Sequence, residues 1–427
     1  MRKFSILVLL LFSLSIFAGA IEPINVNADA ALLADPISGQ ILYAKNETKK
    51  AYPASLTKIM TALLVAEHGA LDSKVTVTKS ALQNLSDAGS TVGLKVGEVM
   101  TVDNLLICLM VASANEAANV LAEHVAGSVP AFVDKMNARA KELGCKNTHF
   151  ANPHGLHQED HYTCAYDMYV IARAATANPR LVEICNMQKA TIPKTNTSPE
   201  RFFFSTNLML SPFKERTYIY PYTTGIKTGH TTQAGQCFVG SATKRDTSLL
   251  SVVLGARAGA KGEKNHFVET TRLFDWGFKN FKSASIITPE KPLAEIKVAL
   301  AWDRDHVVAV PKESVQRLVP RDYDAEKLEV KTELPETLRA PIEKGAHLGK
   351  ARLLYNGSEV ATIELVAADA VSRSNILYAW DMICRFFGST ITKVVIVGII
   401  LLVIFYIVFA ISYNKRRKNR RYRGRRR

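Results

Sequence analysis

The chain has 427 residues, 48% of them hydrophobic and 22% charged, so it can bury a large core; a wholly disordered chain is excluded, and the lack of a heptad or Gly-X-Y repeat excludes a fibre. The formal net charge is +15, but Lys415 to Arg427 holds ten basic residues and no acid. Removing that tail leaves +5, and removing Arg2 and Lys3 as well leaves +3, so the body is mildly basic and the charge does not argue for a nucleic-acid partner.

Length implies roughly two to three domains. The first segment reads Met-Arg-Lys, then an apolar run from Phe4 to Phe17, then Ala18-Gly19-Ala20. A basic start, a short apolar stretch and small residues at −3 and −1 describe a secretory signal peptide over residues 1–20, with an uncleaved anchor as the alternative. Ala31 to Asp35 and Gln40 to Ala44 are strand-like runs around Pro36-Ile37-Ser38-Gly39, a hairpin pattern. A helical stretch introduced by Pro53 follows through Ser55, Ile59, Met60, Leu63, Leu64 and Ala66. Helices alternate with Gly-containing loops as far as His161, most clearly at Glu116 to Ala126 and Ala131 to Leu143. Gly235 to Ala242 and Leu249 to Gly255 return to β-rich texture around Lys244-Arg245-Asp246, and a helix from about Asn265 to Phe281 closes the unit. Strands, then helices, then strands again predict an α+β domain over 26–282.

After Pro289 the runs are short and β-branched: Ile296 to Ala301, His306 to Val310, Leu328 to Thr332, Ala351 to Tyr355 and Glu359 to Val366. Asn356-Gly357 between the last two is a hairpin turn signal, and a small all-β domain is expected over 285–370. Ile376, Leu377, Trp380, Ile383 and Phe387 recur at roughly helical spacing, an amphipathic approach to a membrane over 374–392. Val394 to Tyr413 carries no charge and is long enough to span a bilayer. The basic residues after Asn414 place the tail, 414–427, on the cytoplasmic side and the body outside. Six cysteines at 108, 145, 164, 185, 237 and 384 form no C-x-x-C pair; Cys108 and Cys237 lie in apolar runs and read as buried thiols, and pairing among the others stays open.

Three short strings bear chemistry. Ser55-Leu56-Thr57-Lys58 places a hydroxyl and an amine three residues apart, hence on one helix face about 5–6 Å apart at Cβ. A lysine of lowered pKa can activate such a hydroxyl, and a helix N-terminus favours a developing oxyanion. Taken alone this string is weak, because Ser211, Ser241 and Ser412 begin others like it. Ser113-Ala114-Asn115 precedes a helix and is equally suited to capping it. Lys227-Thr228-Gly229-His230 is the only K-[ST]-G in the chain; a strand edge with Lys and Thr side by side can hold a carboxylate, and Gly229 leaves room for substrate backbone.

Together, in this order, the strings resemble the motif triplet of penicillin-binding proteins and class A β-lactamases. Tyr52 to Thr61, Leu94-Lys95-Val96-Gly97-Glu98, Asn152-Pro153-His154-Gly155-Leu156 and Thr224 to Thr231 extend the likeness to the serine-type D-alanyl-D-alanine carboxypeptidases, over about residues 28–280. The resemblance implies a transpeptidase-like fold, an antiparallel sheet flanked by helices, followed by the small all-β domain and the membrane helix. It implies that Ser55 attacks the D-Ala-D-Ala bond, that Lys58 takes its proton and that Ser113 relays it. Asn115 would hold the peptide or Lys58, Lys227 and Thr228 would bind the terminal carboxylate, and the backbone N–H groups of Ser55 and His230 would form the oxyanion hole. Lys227 would help keep Lys58 neutral. No cofactor or metal is implied. The implied partners are peptidoglycan stem peptides, β-lactams as covalent inhibitors, and the membrane through the last helix.

Ala114 and Glu116 depart from the family's usual Gly and Asp, and Thr163-Cys164-Ala165 from Ser-Thr-Ala. No substrate-contacting arginine is identifiable in the aromatic segment Ser211 to Tyr222. His149, His154, His157 and His161 lack strict zinc spacing. An endopeptidase, a transpeptidase, a β-lactamase and a non-catalytic peptidoglycan-binding scaffold remain the alternatives; no Glu in a matching loop is identified for a β-lactamase.

Overall fold

The computed structural model describes residues 22–83, 85 and 89–423, with side chains of the last helix as far as 415. The expected signal peptide and the end of the basic tail lie outside the described residues. The chain divides into two compact units: the first runs to Ile286 and regains Gln316–Ala325, and the second takes Ile287–Val315 and everything from Glu326 on.

In the first unit, β1 (Ala30–Ala34) and β2 (Ile41–Lys45) form the expected hairpin. They are followed by α1 (Lys58–His68), the short pair β3 (Lys74–Thr76) and β4 (Val99–Thr101), then α2 (Val102–Val111), α3 (Asn115–Ala126), α4 (Val129–Glu142), α5 (Ala165–Thr176) and α6 (Pro179–Cys185). The hairpin β5 (Lys189–Ile192) and β6 (Arg201–Phe204) precedes β7 (Thr223–Thr231), β8 (Gly235–Lys244), β9 (Thr247–Ala256) and α7 (Asn265–Asn280). The central sheet has the order β2-β1-β9-β8-β7 and is antiparallel throughout. Residues alternate across β1 and β9 but both faces are buried. One core layer, built on α1, α2, α3 and α5, meets Leu32, Val252 and Leu254; the other, built on α7, meets Leu33, Leu249 and Val253. The sheet is therefore a partition with helices on both sides, as an α+β pattern requires. The edge strand β7 is the one that carries Lys227.

Two departures from the expected pattern matter. Ser55 is not on an α-helix: Ala54–Thr57 is a 3₁₀ turn, and α1 begins at Lys58. The tighter turn ends the pattern that Pro53 begins, and it still leaves Ser55 and Lys58 on one side. The strand Val315–Pro320 pairs with Phe281–Ile287 rather than joining the β-rich segment it is embedded in.

The second unit is a six-stranded sheet in the order 328–333, 347–355, 358–367, 306–311, 294–299 and 337–339, with the last pair parallel. Asn356 and Gly357, both at positive φ, close the hairpin between Tyr355 and Ser358; the two left-handed residues suit the strand twist. A helix at Asn375–Gly388 exposes Trp380, Ile383, Phe386 and Phe387, and the following helix, Thr390–Arg423, contains an apolar stretch at Thr390–Lys415 long enough to cross a membrane.

Candidate active site

The site is built behind Ser55 before it is built around it. Ala54 takes φ 48°, and Gly155, at φ +89°, passes so close that a Cβ there would lie 2.0 Å from the Ala54 carbonyl oxygen. Thr57 Oγ1 donates to that same oxygen at 2.9 Å and lies 2.7 Å from His161 Nε2. His161 Nδ1 accepts the Ala151 N–H at 3.0 Å, so the neutral ring carries its proton on Nε2 and donates it to Thr57. Burial pulls His161 down to about 4, which keeps the ring neutral near pH 7. The serine's turn is thus held from behind by a fully partnered relay.

Lys58 is fully buried, with Nζ 3.0 Å from Ser55 Oγ, 2.7 Å from Asn115 Oδ1 and 2.5 Å from the His154 carbonyl oxygen. The last two oxygens can only accept, so each takes an N–H. A neutral amine has two hydrogens, and its lone pair is then left for the third neighbour, the Ser55 hydroxyl. Burial first, and Lys227 second, lower Lys58 well below the ordinary lysine range, against an opposing pull from Glu116. A neutral amine so placed presents its lone pair to one hydroxyl.

The His154 carbonyl is aimed by Asn152, whose Oδ1 accepts from the backbone N–H groups of His154 at 3.3 Å and Gly155 at 2.6 Å, while Nδ2 donates to Leu156 O. Ser113 sits at the bend between α2 and α3 at φ 65° and is buried. Among the described residues its hydroxyl is not a partner of Lys58. Glu116, next along α3, accepts from Thr91 Oγ1 and from the N–H groups of Val92 and Gly93 through one oxygen, which moors that loop.

On β7, Lys227 is 1% exposed and donates to its neighbour's carbonyl, Thr228 O, at 3.0 Å; burial lowers it to about 7, with the Cys185 thiol opposing. Thr228 Oγ1 donates to Thr206 Oγ1 at 2.8 Å, and His230 is exposed. Gly229 does a different job from the one its sequence context suggests. A Cβ there would lie 3.1 Å from Pro53 O and from Ser55 N, so the missing side chain admits the backbone of the serine's own turn rather than a substrate. That close approach brings β7 beside Ser55.

Ser55, Asn115, His154 and His230 line one open cleft of about 1410 Å³. The structure therefore joins Ser55, Lys58 and Asn115 by direct hydrogen bonds, sets Lys227 close enough to act on Lys58, and opens the group to solvent on the side of His230. The His154 carbonyl, the His161–Thr57 relay and Thr206 were not identified from sequence. Arg201 forms a two-pronged ion pair with the buried Glu98, at 2.7 and 2.8 Å, a structural clamp between β6 and the turn before β4. The four histidines have separate surroundings. His149 Nδ1 meets Asp160 O, His157 packs edge-on against Tyr52, and His154 and His161 flank the lysine. Cys108 and Cys237 are buried thiols, each pushed up to about 12 by burial.

Residues 18–258 match the family model described as D-alanyl-D-alanine carboxypeptidase, and residues 281–373 match that of the penicillin-binding protein 5 C-terminal domain. The chain is 30% identical over 354 residues to D-alanyl-D-alanine carboxypeptidase DacF of Bacillus subtilis, covering 82% of this chain and 87% of that one. It is 32% identical over 401 residues to DacC of Escherichia coli, covering 89% and 95%. Among solved structures, penicillin-binding protein 5 from Haemophilus influenzae superposes with a TM-score of 0.68 at 31% identity, over 82% of this chain and 99% of that one.

Proposed function

The chain belongs to the D-alanyl-D-alanine carboxypeptidase family of serine peptidases, and from that premise we propose how its own residues carry the reaction. Ser55 Oγ attacks the carbonyl carbon of the D-Ala-D-Ala bond while Lys58 Nζ takes the hydroxyl proton. The tetrahedral oxyanion is received by the backbone N–H groups of Ser55 and His230, at the turn that Gly229 allows to meet β7. Collapse expels D-alanine, whose nitrogen gains a proton delivered from Lys58 by way of Ser113, and water then hydrolyses the Ser55 ester. Lys227 and Thr228 hold the terminal carboxylate. The unpaired side of β7 offers backbone groups to an extended peptide, in the manner of an added strand. The observation that carries this reading is the placement of Lys58 Nζ, within hydrogen-bond distance of two oxygens that only accept and of the Ser55 hydroxyl.

The substrate is a peptidoglycan stem pentapeptide ending in D-Ala-D-Ala, and β-lactams acylate the same serine. Incubating the chain with such a peptide is expected to release free D-alanine. Cross-linked dimer in its place would identify a transpeptidase, and rapid turnover of penicillin a β-lactamase. No product with either substrate would leave a binding scaffold.

Lys227→Ala is expected to raise KM for the carboxylate-bearing peptide about 10- to 100-fold, the worth of a hydrogen bond to a charged group, with a smaller change in kcat. An unchanged KM would remove Lys227 from carboxylate binding.

We place the body on the outer face of the membrane, anchored by the apolar stretch Thr390–Lys415, with the basic tail in the cytoplasm. Ending the chain at Asp381 keeps its ion pair with Arg339, at 2.7 Å, and removes the span. The product is expected in the soluble fraction with unchanged kcat/KM on a soluble pentapeptide; an inactive soluble product would mean the anchor does more than tether.

A further inference from the structure

Trp302 is the one large apolar side chain that the β-rich part of the second unit leaves exposed among the described residues, at 73%. A lone exposed apolar residue is ordinary and by itself asks for no partner. What sets Trp302 apart is where its loop is tied. The loop 300–305 leaves the strand Ala294–Ala299 at the end of the sheet that also holds the helix Asn375–Gly388. Three contacts make this end one piece. The Ala340 N–H donates to Ala299 O at 2.9 Å, the Ser374 N–H donates to Leu300 O at 2.8 Å, and Arg339 on the edge strand pairs with Asp381 on the helix at 2.7 Å. Ser374 is also the residue that caps the helix, its hydroxyl accepting from the Leu377 N–H.

Ile376, Trp380, Ile383 and Phe387 form one exposed stripe along that helix, which is about 21 Å long. Ser389, extended at φ −70° and ψ 140°, interrupts the helical path before the apolar stretch Thr390–Lys415 begins. Standing upright on the bilayer, the helix would hold Ile376 in water; only lying along the surface does it bury the whole stripe. Ser374 then lies at the depth of the lipid headgroups, and so does the loop bonded to it. Trp302 is two residues from Leu300, within about 7 Å of chain. Indole suits that depth, with an apolar ring for the acyl boundary and one N–H for the headgroups.

We propose that Trp302 seats this end of the β-rich unit in the membrane interface, a second contact beside the helix that fixes how the unit stands on the bilayer; this rests on the membrane-anchored reading above. The contact is apolar. Arg304 is paired with Asp369 at 3.1 Å and Asp305 with His306 at 2.9 Å, and the loop's remaining charge, Asp303, is an acid that gains nothing from anionic lipid. Seating therefore comes from the indole and is insensitive to salt.

The test reconstitutes the full chain in phosphatidylcholine vesicles, plain or brominated near the headgroup end of the acyl chains, and reads tryptophan emission. The chain has three tryptophans, so Trp276→Phe with Trp380→Phe leaves Trp302 alone. Its emission is expected to be blue-shifted in vesicles and lost to bromine, equally at low and high salt. Fluorescent-penicillin labelling shows that the catalytic unit of the variant is folded. Trp302→Phe in the otherwise unchanged chain gives an independent reading, since it should shrink the bromine-quenched part of the emission. Trp302 emission that stays that of indole in water and equal in both vesicles, or a quenched part unchanged by Trp302→Phe, overturns the contact; quenching of Trp380 in the same vesicles leaves the anchored reading standing. A full chain that does not float with the vesicles removes the anchored reading and the contact with it.

Discussion

Ser55→Ala is expected to remove nearly all D-alanine release and all covalent labelling by fluorescent penicillin together. The change removes one oxygen from a 3₁₀ turn whose backbone is fixed by other groups: Thr57 and His161 hold Ala54, and Gly155 and Gly229 let two further segments pack against it. The fold therefore has no reason to change, and the loss is chemical. The proposed oxyanion donors and carboxylate site stay intact, so a trace of hydrolysis by water is expected to remain, about 10³- to 10⁶-fold below the wild type in kcat. Labelling should vanish outright, because no other hydroxyl faces Lys58 among its described partners. A mass spectrum of the penicillin-treated wild type should place the adduct on Ser55, and an adduct persisting in the variant would move the nucleophile elsewhere.

The parts of this arrangement that were legible in sequence are those that depend on side-chain type at fixed spacing. Ser55 and Lys58 share a side of the chain whether the turn is α or 3₁₀, so the wrong helix type did not spoil the pairing. Asn356-Gly357 specified its hairpin because the turn needs two left-handed residues, and β8 and β9 followed from their apolar runs. The features that escaped are of another kind. The His154 carbonyl that takes a Lys58 hydrogen is a backbone group, which any residue at that position supplies, so no residue identity announces it. The Thr57–His161 contact and the Thr228–Thr206 contact join segments that only the completed fold brings together. The strand Val315–Pro320 is missed for the same reason: its β texture matches its neighbours, while its pairing with Phe281–Ile287 is a property of topology. Gly229 was legible as a place where backbone approaches closely, but not as to which backbone.

Lys58→Arg carries the second large expectation, because it imposes a permanent positive charge and removes the base. A guanidinium is not deprotonated in a protein and has no lone pair to offer. Acylation by peptide and by penicillin should both fall, by about 10²- to 10⁴-fold, the usual contribution of a positioned general base. If Lys58 served only as a cation that stabilises charge, the arginine would retain much of the activity, and that outcome would refute the assignment. The pH dependence separates the two lysines in the wild type. Lys58 must be neutral to act, so kcat/KM rises as pH passes upward through its pKa, which burial and Lys227 set well below the ordinary lysine value. Lys227 must be charged to hold a carboxylate, so the same parameter falls as pH rises through about 7 in the free enzyme. The profile is therefore bell-shaped, with apparent values that belong to the coupled pair. Bound carboxylate stabilises the Lys227 ammonium, so the alkaline limb of kcat should lie at higher pH than that of kcat/KM. Lys227→Ala should abolish the alkaline limb. The same change takes away a repelling charge, so Lys58 regains protons more readily and the acid limb moves to higher pH. A Lys227→Ala profile with both limbs unmoved would show that the two amines do not sense each other, and the neutral state of Lys58 would then rest on burial alone.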